Sequence, residues 1–111
     1  MQIPSQIQAG DTITWRDEAT VDNLGNPISS ADYTLTYYLR TNTAAEGATV
    51  VGTAYGSGWQ FTISAATSAP FDAGTWYWQA IATKAGSTIT VGTGSTEVLP
   101  ALTYAGIPTA Y

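Results

Sequence analysis

The most constraining feature of this 111-residue chain is a regular alternation of apolar and polar side chains in short runs. Across residues 33–40, every second residue is a tyrosine or a leucine, and the positions between them are mostly polar. Successive side chains of a β-strand point to opposite faces, so this pattern is typical of a strand that buries one face. No segment repeats apolar residues at the three- and four-residue spacing of a helix longer than one turn. The alternation therefore predicts an all-β chain.

Turn-forming residues divide the chain into about seven such runs, at a spacing typical of a sandwich or a barrel. The 19 threonines fit this assignment, because threonine favours strands. We predict an immunoglobulin-like antiparallel β-sandwich, with a crossover at residues 65–70 that holds at most one helical turn. Gly92 and Gly94 predict a bulge or bend in the last strand. The predicted strands cover residues 3–8, 11–18, 33–40, 48–55, 59–64, 74–84 and 88–99.

The length predicts a single domain, since domains of ~100–150 residues are the commonest. Residues 11–100 are expected to form the sandwich. Residues 1–10 are expected to be an N-terminal arm or edge strand, because Pro4 cannot donate a hydrogen bond to a strand ladder. Residues 101–111 form an uncharged C-terminal tail and a possible docking arm.

The immunoglobulin-like assignment depends on the segment DAGTWYW at residues 72–78. This segment resembles the corner between strands E and F of immunoglobulin-like domains. Trp76 takes the place of the corner tyrosine, and Trp78 takes the place of the inter-sheet cysteine. The indole of Trp76 offers an N–H donor instead of a hydroxyl. The resemblance implies a fold and carries no function.

Composition excludes several classes of function. The chain has no cysteine and no histidine, which removes disulfides, Cys/His zinc sites, cysteine nucleophiles and histidine-based triads. The net charge of −5, with only three cations, disfavours nucleic-acid binding. No apolar run is long enough for a membrane span, and no signal peptide is expected. We expect no enzymatic activity, no cofactor and no metal, and neither a nucleic acid nor a membrane as partner.

The aromatic residues divide into a core set and an exposed set. A planar platform of exposed aromatic rings could stack on sugar rings, so a carbohydrate-binding or adhesion module is the alternative function. Tyrosines are equally typical of protein interfaces. Alternation predicts a core set of Trp15, Tyr37, Trp59, Trp76 and Trp78, and an exposed set of Tyr38, Tyr55, Tyr77, Tyr104 and Tyr111.

The carboxylates give only weak evidence for a metal site or a catalytic site. Asp17, Glu18 and Asp22 lie close together in the sequence and could supply oxygen ligands to Ca²⁺. Their spacing fits no calcium-loop motif, so a solvated acidic loop is the preferred interpretation. No two carboxylates are paired as a glycosidase requires.

Charged residues make up only 10% of the chain, against ~25% in an average domain. A low charge fits either a small threonine-rich β domain that is soluble on its own, or a subunit whose surface is covered by neighbours, because fewer ions then lose their water on assembly. Both terminal segments are uncharged and carry spaced apolar residues. The interface residues predicted on this basis are Ile3, Ile7, Leu102, Tyr104, Ile107 and Tyr111.

Four stretches of the chain together resemble a group of small virion proteins of tailed bacteriophages. They are IPSQIQAGDT (3–12), YTLTYYL (33–39), AGTWYWQA (73–80) and EVLP (97–100). The resemblance implies a non-enzymatic structural protein of the virion that is assembled in the host cytoplasm. Its place would be either the capsid surface, as a decoration or cement protein, or the head–tail junction. The partners it implies are major capsid, portal or neck proteins, with the chain itself present in many copies or as a homo-oligomer.

Overall fold

The structure, a computed structural model, describes residues 3–41 and 47–100. In these ranges the chain forms ten strands and one short helix, which confirms the predicted all-β class. The helix lies within the predicted crossover. The elements are β1 (Gln6–Gln8), β2 (Ile13–Asp17), β3 (Thr20–Val21), β4 (Pro27–Ile28), β5 (Thr34–Thr41), β6 (Gly47–Val51), β7 (Thr53–Tyr55), β8 (Gly58–Ile63), α1 (Ala65–Ser68), β9 (Gly74–Lys84) and β10 (Ser87–Leu99).

The larger sheet has five strands in the order β1-β10-β9-β5-β6. All its pairings are antiparallel except that of β1 with β10, which is parallel. A tight turn joins β9 to β10, and Gly86 in this turn adopts a left-handed conformation, with φ of 80°. The register of β10 shifts between Thr90 and Gly92, which confirms a bulge in the last strand.

A second sheet contains β2, β8 and β7 in that order. The predicted strand over residues 48–55 is split at Gly52, so β6 belongs to the larger sheet and β7 to the smaller one. A Cβ atom on Gly52 would come within 2.7 Å of the Phe61 ring, and the Gly52 N–H donates to the carbonyl of Leu35. The chain therefore changes sheets at a residue that has no side chain.

The core lies between these two sheets and is rich in aromatic rings. Trp15 and Phe61 from the smaller sheet stack on each other, with centroids 5.2 Å apart. Tyr37 from the larger sheet meets both rings edge-on. Burial of one large apolar side chain contributes about 1.5–3 kcal/mol, so these contacts hold the two sheets together.

Two further details differ from the sequence-based prediction. Trp78 faces the core but is only partly buried, whereas the other four predicted core aromatics are buried. Trp78 stands opposite Gly94 on β10, and its ring lies over this glycine, which has no side chain to cover it. The long connection between β2 and β5, predicted as a polar loop, contains the small antiparallel hairpin of β3 and β4.

Candidate interaction surface

The outer face of the five-stranded sheet is a broad surface with exposed aromatic rings. Cross-strand register places Tyr38 beside Gln79, and Tyr77 beside Arg40. The two tyrosines are therefore diagonal neighbours, roughly 7 Å apart. Their side chains are 37% and 50% exposed, and Val51 on β6 is also exposed. Grouped exposed apolar side chains of this kind mark contact surfaces.

Charge is nearly absent from this face. Its outward positions on β5, β6, β9 and β10 carry two charged residues, Arg40 and Glu97. Each lies near the end of its strand, and a carboxylate oxygen of Glu97 accepts a hydrogen bond from the Thr75 hydroxyl at 3.0 Å. Threonine, serine and glutamine fill most of the other positions. A partner could cover the centre of this face without removing an ion from water.

One edge of the larger sheet is open along β10. β1 pairs only with residues 97–99, and the Thr96 hydroxyl donates to the Pro4 carbonyl at 2.9 Å, so within the described ranges residues 87–95 have a neighbour on the β9 side alone. The Glu97 N–H points to the β1 side, where it donates to the Ser5 carbonyl at 2.9 Å. Alternation along the strand turns the backbone groups of Ser95 and Thr93 toward the same side. An unpaired edge of this kind can accept another strand.

A groove lies beside this open edge. It separates the β3–β4 hairpin from residues 89–91 of β10 and encloses about 440 Å³. A second cavity of about 280 Å³ shares Thr20, Ile28 and Val91 with it and reaches the buried side chains of Leu35 and Trp59. We call these two adjoining cavities the hairpin groove. Ile28, Leu35, Trp59 and Val91 give the groove apolar surface, and its lining also includes polar and acidic side chains, among them the buried Asp17.

The tip of the β3–β4 hairpin exposes the apolar side chain of Leu24 to solvent. Leu24 at its tip is 82% exposed. One carboxylate oxygen of Asp22 accepts from the backbone N–H groups of Leu24 and Asn26, at 2.9 and 2.8 Å, and Gly25 takes a left-handed conformation. These bonds, led by that from Asn26, hold the pKa of Asp22 below its ordinary value of 3.8. The tip is therefore an ordered loop that presents Leu24.

A buried carboxylate lies behind the aromatic core. Asp17 is 3% exposed and accepts a short hydrogen bond from the Tyr37 hydroxyl. Burial raises the pKa of Tyr37 well above its ordinary value of 10.0, and the hydrogen bond and negative charge of Asp17 raise it further. The pair joins β2 to β5 across the core, so it serves the fold.

The predicted interface residues differ in burial, and only two of the six lie within the described ranges. Ile7 is fully buried in the core of its own domain, because β1 packs its inward face there, so Ile7 offers no surface to a partner. Ile3 is partly buried against the same core. The other four predicted interface residues fall outside the described ranges; they are Leu102, Tyr104, Ile107 and Tyr111.

The exposed aromatic set is confirmed for Tyr38, Tyr55 and Tyr77, and Tyr104 and Tyr111 lie outside the described ranges. Tyr55 lies on the smaller sheet, where the Arg16 guanidinium sits 3.9 Å from its ring centroid. Tyr38 and Tyr77 share the outer face of the larger sheet. Sequence reasoning missed the open edge of β10. The sequence offers only a partial signal, since residues 87–96 carry no charged side chain, and the pairing that leaves this edge open is a non-local feature of the fold.

The three carboxylates considered as calcium ligands have other roles or positions. Asp17 is held by Tyr37, Asp22 closes the hairpin turn, and Glu18 is exposed. In residues 3–41 and 47–100, no group of three or more acidic, histidine or cysteine residues is placed to hold a metal ion.

The part of the chain that the structure describes has no helix long and apolar enough to cross a membrane. No protein-family model and no curated protein sequence matches the chain.

Proposed function

We propose that this chain is a non-enzymatic structural protein of a tailed-phage virion. It stabilises the capsid surface or the head–tail junction through contacts with other subunits, and it is assembled in the host cytoplasm. The phage assignment comes from the resemblance of the four sequence stretches given above.

The observation that carries the structural role is the nearly uncharged outer face of the five-stranded sheet. It displays Tyr38, Tyr77 and Val51, with Arg40 and Glu97 near the strand ends. Tyrosine is enriched at protein interfaces, and charge is depleted at their centres. In a multi-copy shell, many such modest contacts act together.

An immunoglobulin-like sandwich is the fold that we propose for this subunit. The order β10-β9-β5-β6 in one sheet and β2-β8-β7 in the other corresponds to G-F-C-C′ and B-E-D of that fold. The Trp76 indole N–H donates to the carbonyl of Asp72, four residues upstream, at 2.9 Å, as the hydroxyl of a corner tyrosine would. Tyr37 lies between Trp15 and Trp78, with centroids 5.2 and 5.3 Å away. This cluster of three rings takes the place of the disulfide and tryptophan of antibody domains.

The test is the protein content of particles made by the phage or prophage that carries the gene. We expect mass spectrometry of gradient-purified particles to find the chain in many copies, and antibodies against it to label the shell or the neck. The labelled position decides between the two locations. Particles that lack the chain while the cell lysate contains it would overturn the proposal.

A carbohydrate-binding or adhesion module is the second candidate, favoured by the exposed rings of Tyr38 and Tyr77 on one face. Aromatic rings in such an arrangement can stack on sugars. A glycan array probed with the purified chain separates the two functions. Specific binding that is lost in Tyr77→Ala and kept in Tyr55→Ala would support the module, and silence across the array supports the structural role.

A further inference from the structure

We propose that residues 101–111 of a second copy of this chain add a strand to the open edge of β10, beside the hairpin groove. This inference rests on the proposed function, in which the chain acts through subunit contacts, and it names one of those contacts. Addition of a strand to a sheet edge is an established mode of peptide recognition.

The receiving edge has free hydrogen-bonding groups and adjoins a groove that contains apolar side chains. Residues 87–95 of β10 present one row of backbone groups with no strand opposite in the described part of the chain. Ile28 and Val91 line the adjoining groove, which extends down to Trp59. An added strand would satisfy the backbone groups, and its alternate side chains would enter the groove.

The proposed occupant matches this edge in length and chemistry. Residues 101–111 carry no charged side chain, and Leu102 and Tyr104 alternate with Thr103 and Ala105. In a strand, Leu102 and Tyr104 would share one face and could both point to the apolar side chains of the groove. Residues 101–107, which precede Pro108, could pair along about 23 Å of this nine-residue edge. Because Glu18 and Asp22 stand at the groove, an acidic segment would be repelled there.

The path of the chain favours a neighbour over the chain's own tail. β1 occupies the edge of β10 at residues 97–99, and the Gln8 side-chain amide donates to the Pro100 carbonyl at 2.5 Å. The chain thus leaves the sheet beyond β1. To reach Ser95, its own tail would have to reverse and pass over β1, whereas the tail of another copy can approach the edge directly.

The first test compares two variants of the full chain at the edge. The backbone N–H of Thr93 points to the open edge and makes no bond to β9. Thr93→Pro removes this N–H, and Thr93→Ala keeps it. Sedimentation equilibrium should show self-association of the parent chain, weakened about tenfold or more in Thr93→Pro, since a backbone bond and the strand path are lost. The self-association of Thr93→Ala should equal that of the parent chain. Equal association of the two variants, or a parent chain that stays monomeric, would overturn the proposal.

The second test locates the contact and does not depend on proline. The chain has no cysteine, so single substitutions give unique sites for a short bis-maleimide linker. Full chain carrying Thr93→Cys, mixed with tagged full chain carrying Thr103→Cys, should form a mixed cross-linked dimer. The matched control replaces Thr93→Cys with Thr14→Cys, on the exposed face of the smaller sheet, and should form none.

Equal cross-linking of both pairs would overturn the proposal. Cross-linking only within a single chain, seen with Thr93→Cys and Thr103→Cys combined in one dilute chain, would assign the edge to the chain's own tail and would also overturn it. Failure here leaves the proposed function open to its own test, because a virion protein can contact other virion proteins without contacting itself. Conversely, if the chain is absent from particles but the specific cross-link forms, the proposed function fails and the contact between copies stands.

Discussion

At the scale of single residues, the most informative feature is the hydroxyl of Tyr37. The Tyr37 ring is buried in the aromatic core, and its O–H donates to Asp17. The ring adds apolar contacts to the core, and the hydroxyl gives the buried carboxylate a hydrogen-bond donor that it needs. Tyr38, the next residue, points to solvent from the opposite face of β5. Two adjacent tyrosines therefore have different roles, one in the fold and one on the proposed contact surface.

Removal of the Tyr37 hydroxyl should destabilise the domain. We expect Tyr37→Phe to lower the free energy of unfolding by about 2 kcal/mol, since a hydrogen bond to a charged buried group is lost. Tyr38→Phe, the matched control, should change it by less than about 0.5 kcal/mol. Urea unfolding followed by tryptophan fluorescence measures both values. Equal effects of the two variants would mean that the Asp17–Tyr37 bond contributes nothing.

The same residue predicts a response to alkaline pH. Folding raises the pKa of Tyr37 above its unfolded value of 10.0, so the stability that it contributes is complete below pH 10 and is lost as the pH rises above that value. Unfolding curves collected from pH 8 upward should show a steeper loss of stability in the parent chain than in Tyr37→Phe. If the stability of the two proteins falls equally with rising pH, the Tyr37 hydroxyl is not the group responsible.

At the scale of elements, β10 combines two unusual features. It is the longest strand described, yet within residues 3–41 and 47–100 most of one of its edges has no partner strand. It also carries glycine at positions 92 and 94, and a Cβ atom on Gly94 would come within 2.7 Å of the Trp78 ring. β10 therefore has no side chain at the position over which the Trp78 indole lies.

Addition of a methyl group at Gly94 should disturb this contact. We expect Gly94→Ala to cost about 1–3 kcal/mol through overpacking against Trp78. In a Trp78→Ala background the penalty should nearly vanish, because the clashing ring is gone. Trp78→Ala itself should cost less than the 3–5 kcal/mol typical of a fully buried tryptophan. A double-mutant cycle on thermal or urea unfolding tests the coupling, and additive effects would show that the two residues do not interact.

At the scale of the whole molecule, scarcity of charge sets how the chain can associate. The chain has three basic side chains, two of which lie over aromatic rings: Arg16 over Tyr55 and Lys84 over Tyr33. Little positive charge is left for ion pairs with a neighbour. Association must then come from apolar burial and backbone hydrogen bonds.

This leads to a prediction about salt. Self-association of the full chain should change less than about threefold between 0.05 and 0.5 M sodium chloride, because exposed ion pairs are the interactions that salt screens. Sedimentation equilibrium at several salt concentrations measures it. A strong decrease with salt would mean that ion pairs carry the contact.

Local sequence pattern predicted most of the strands and most of the core, but not the β3–β4 hairpin or the division between β6 and β7, and non-local geometry accounts for much of what it missed. Alternation identified β5 and β9 and their buried faces correctly, because the period of two is a property of each strand alone. The change of sheet at Gly52 depends on the position of Phe61, which no local pattern contains. The partial exposure of Trp78 depends on its cross-strand neighbour Gly94. The open edge of β10 likewise depends on pairing between the two ends of the chain.

The parallel pairing of β1 with β10 has a mechanical consequence. The Ser5 carbonyl accepts from the Glu97 N–H, and the Ala9 N–H donates to the Leu99 carbonyl. A force that drew the two ends of the polypeptide apart would slide these strands lengthwise past each other. The bonds would then be strained together rather than opened one after another, so the domain should resist tension along this direction more than tension that peels β10 from β9.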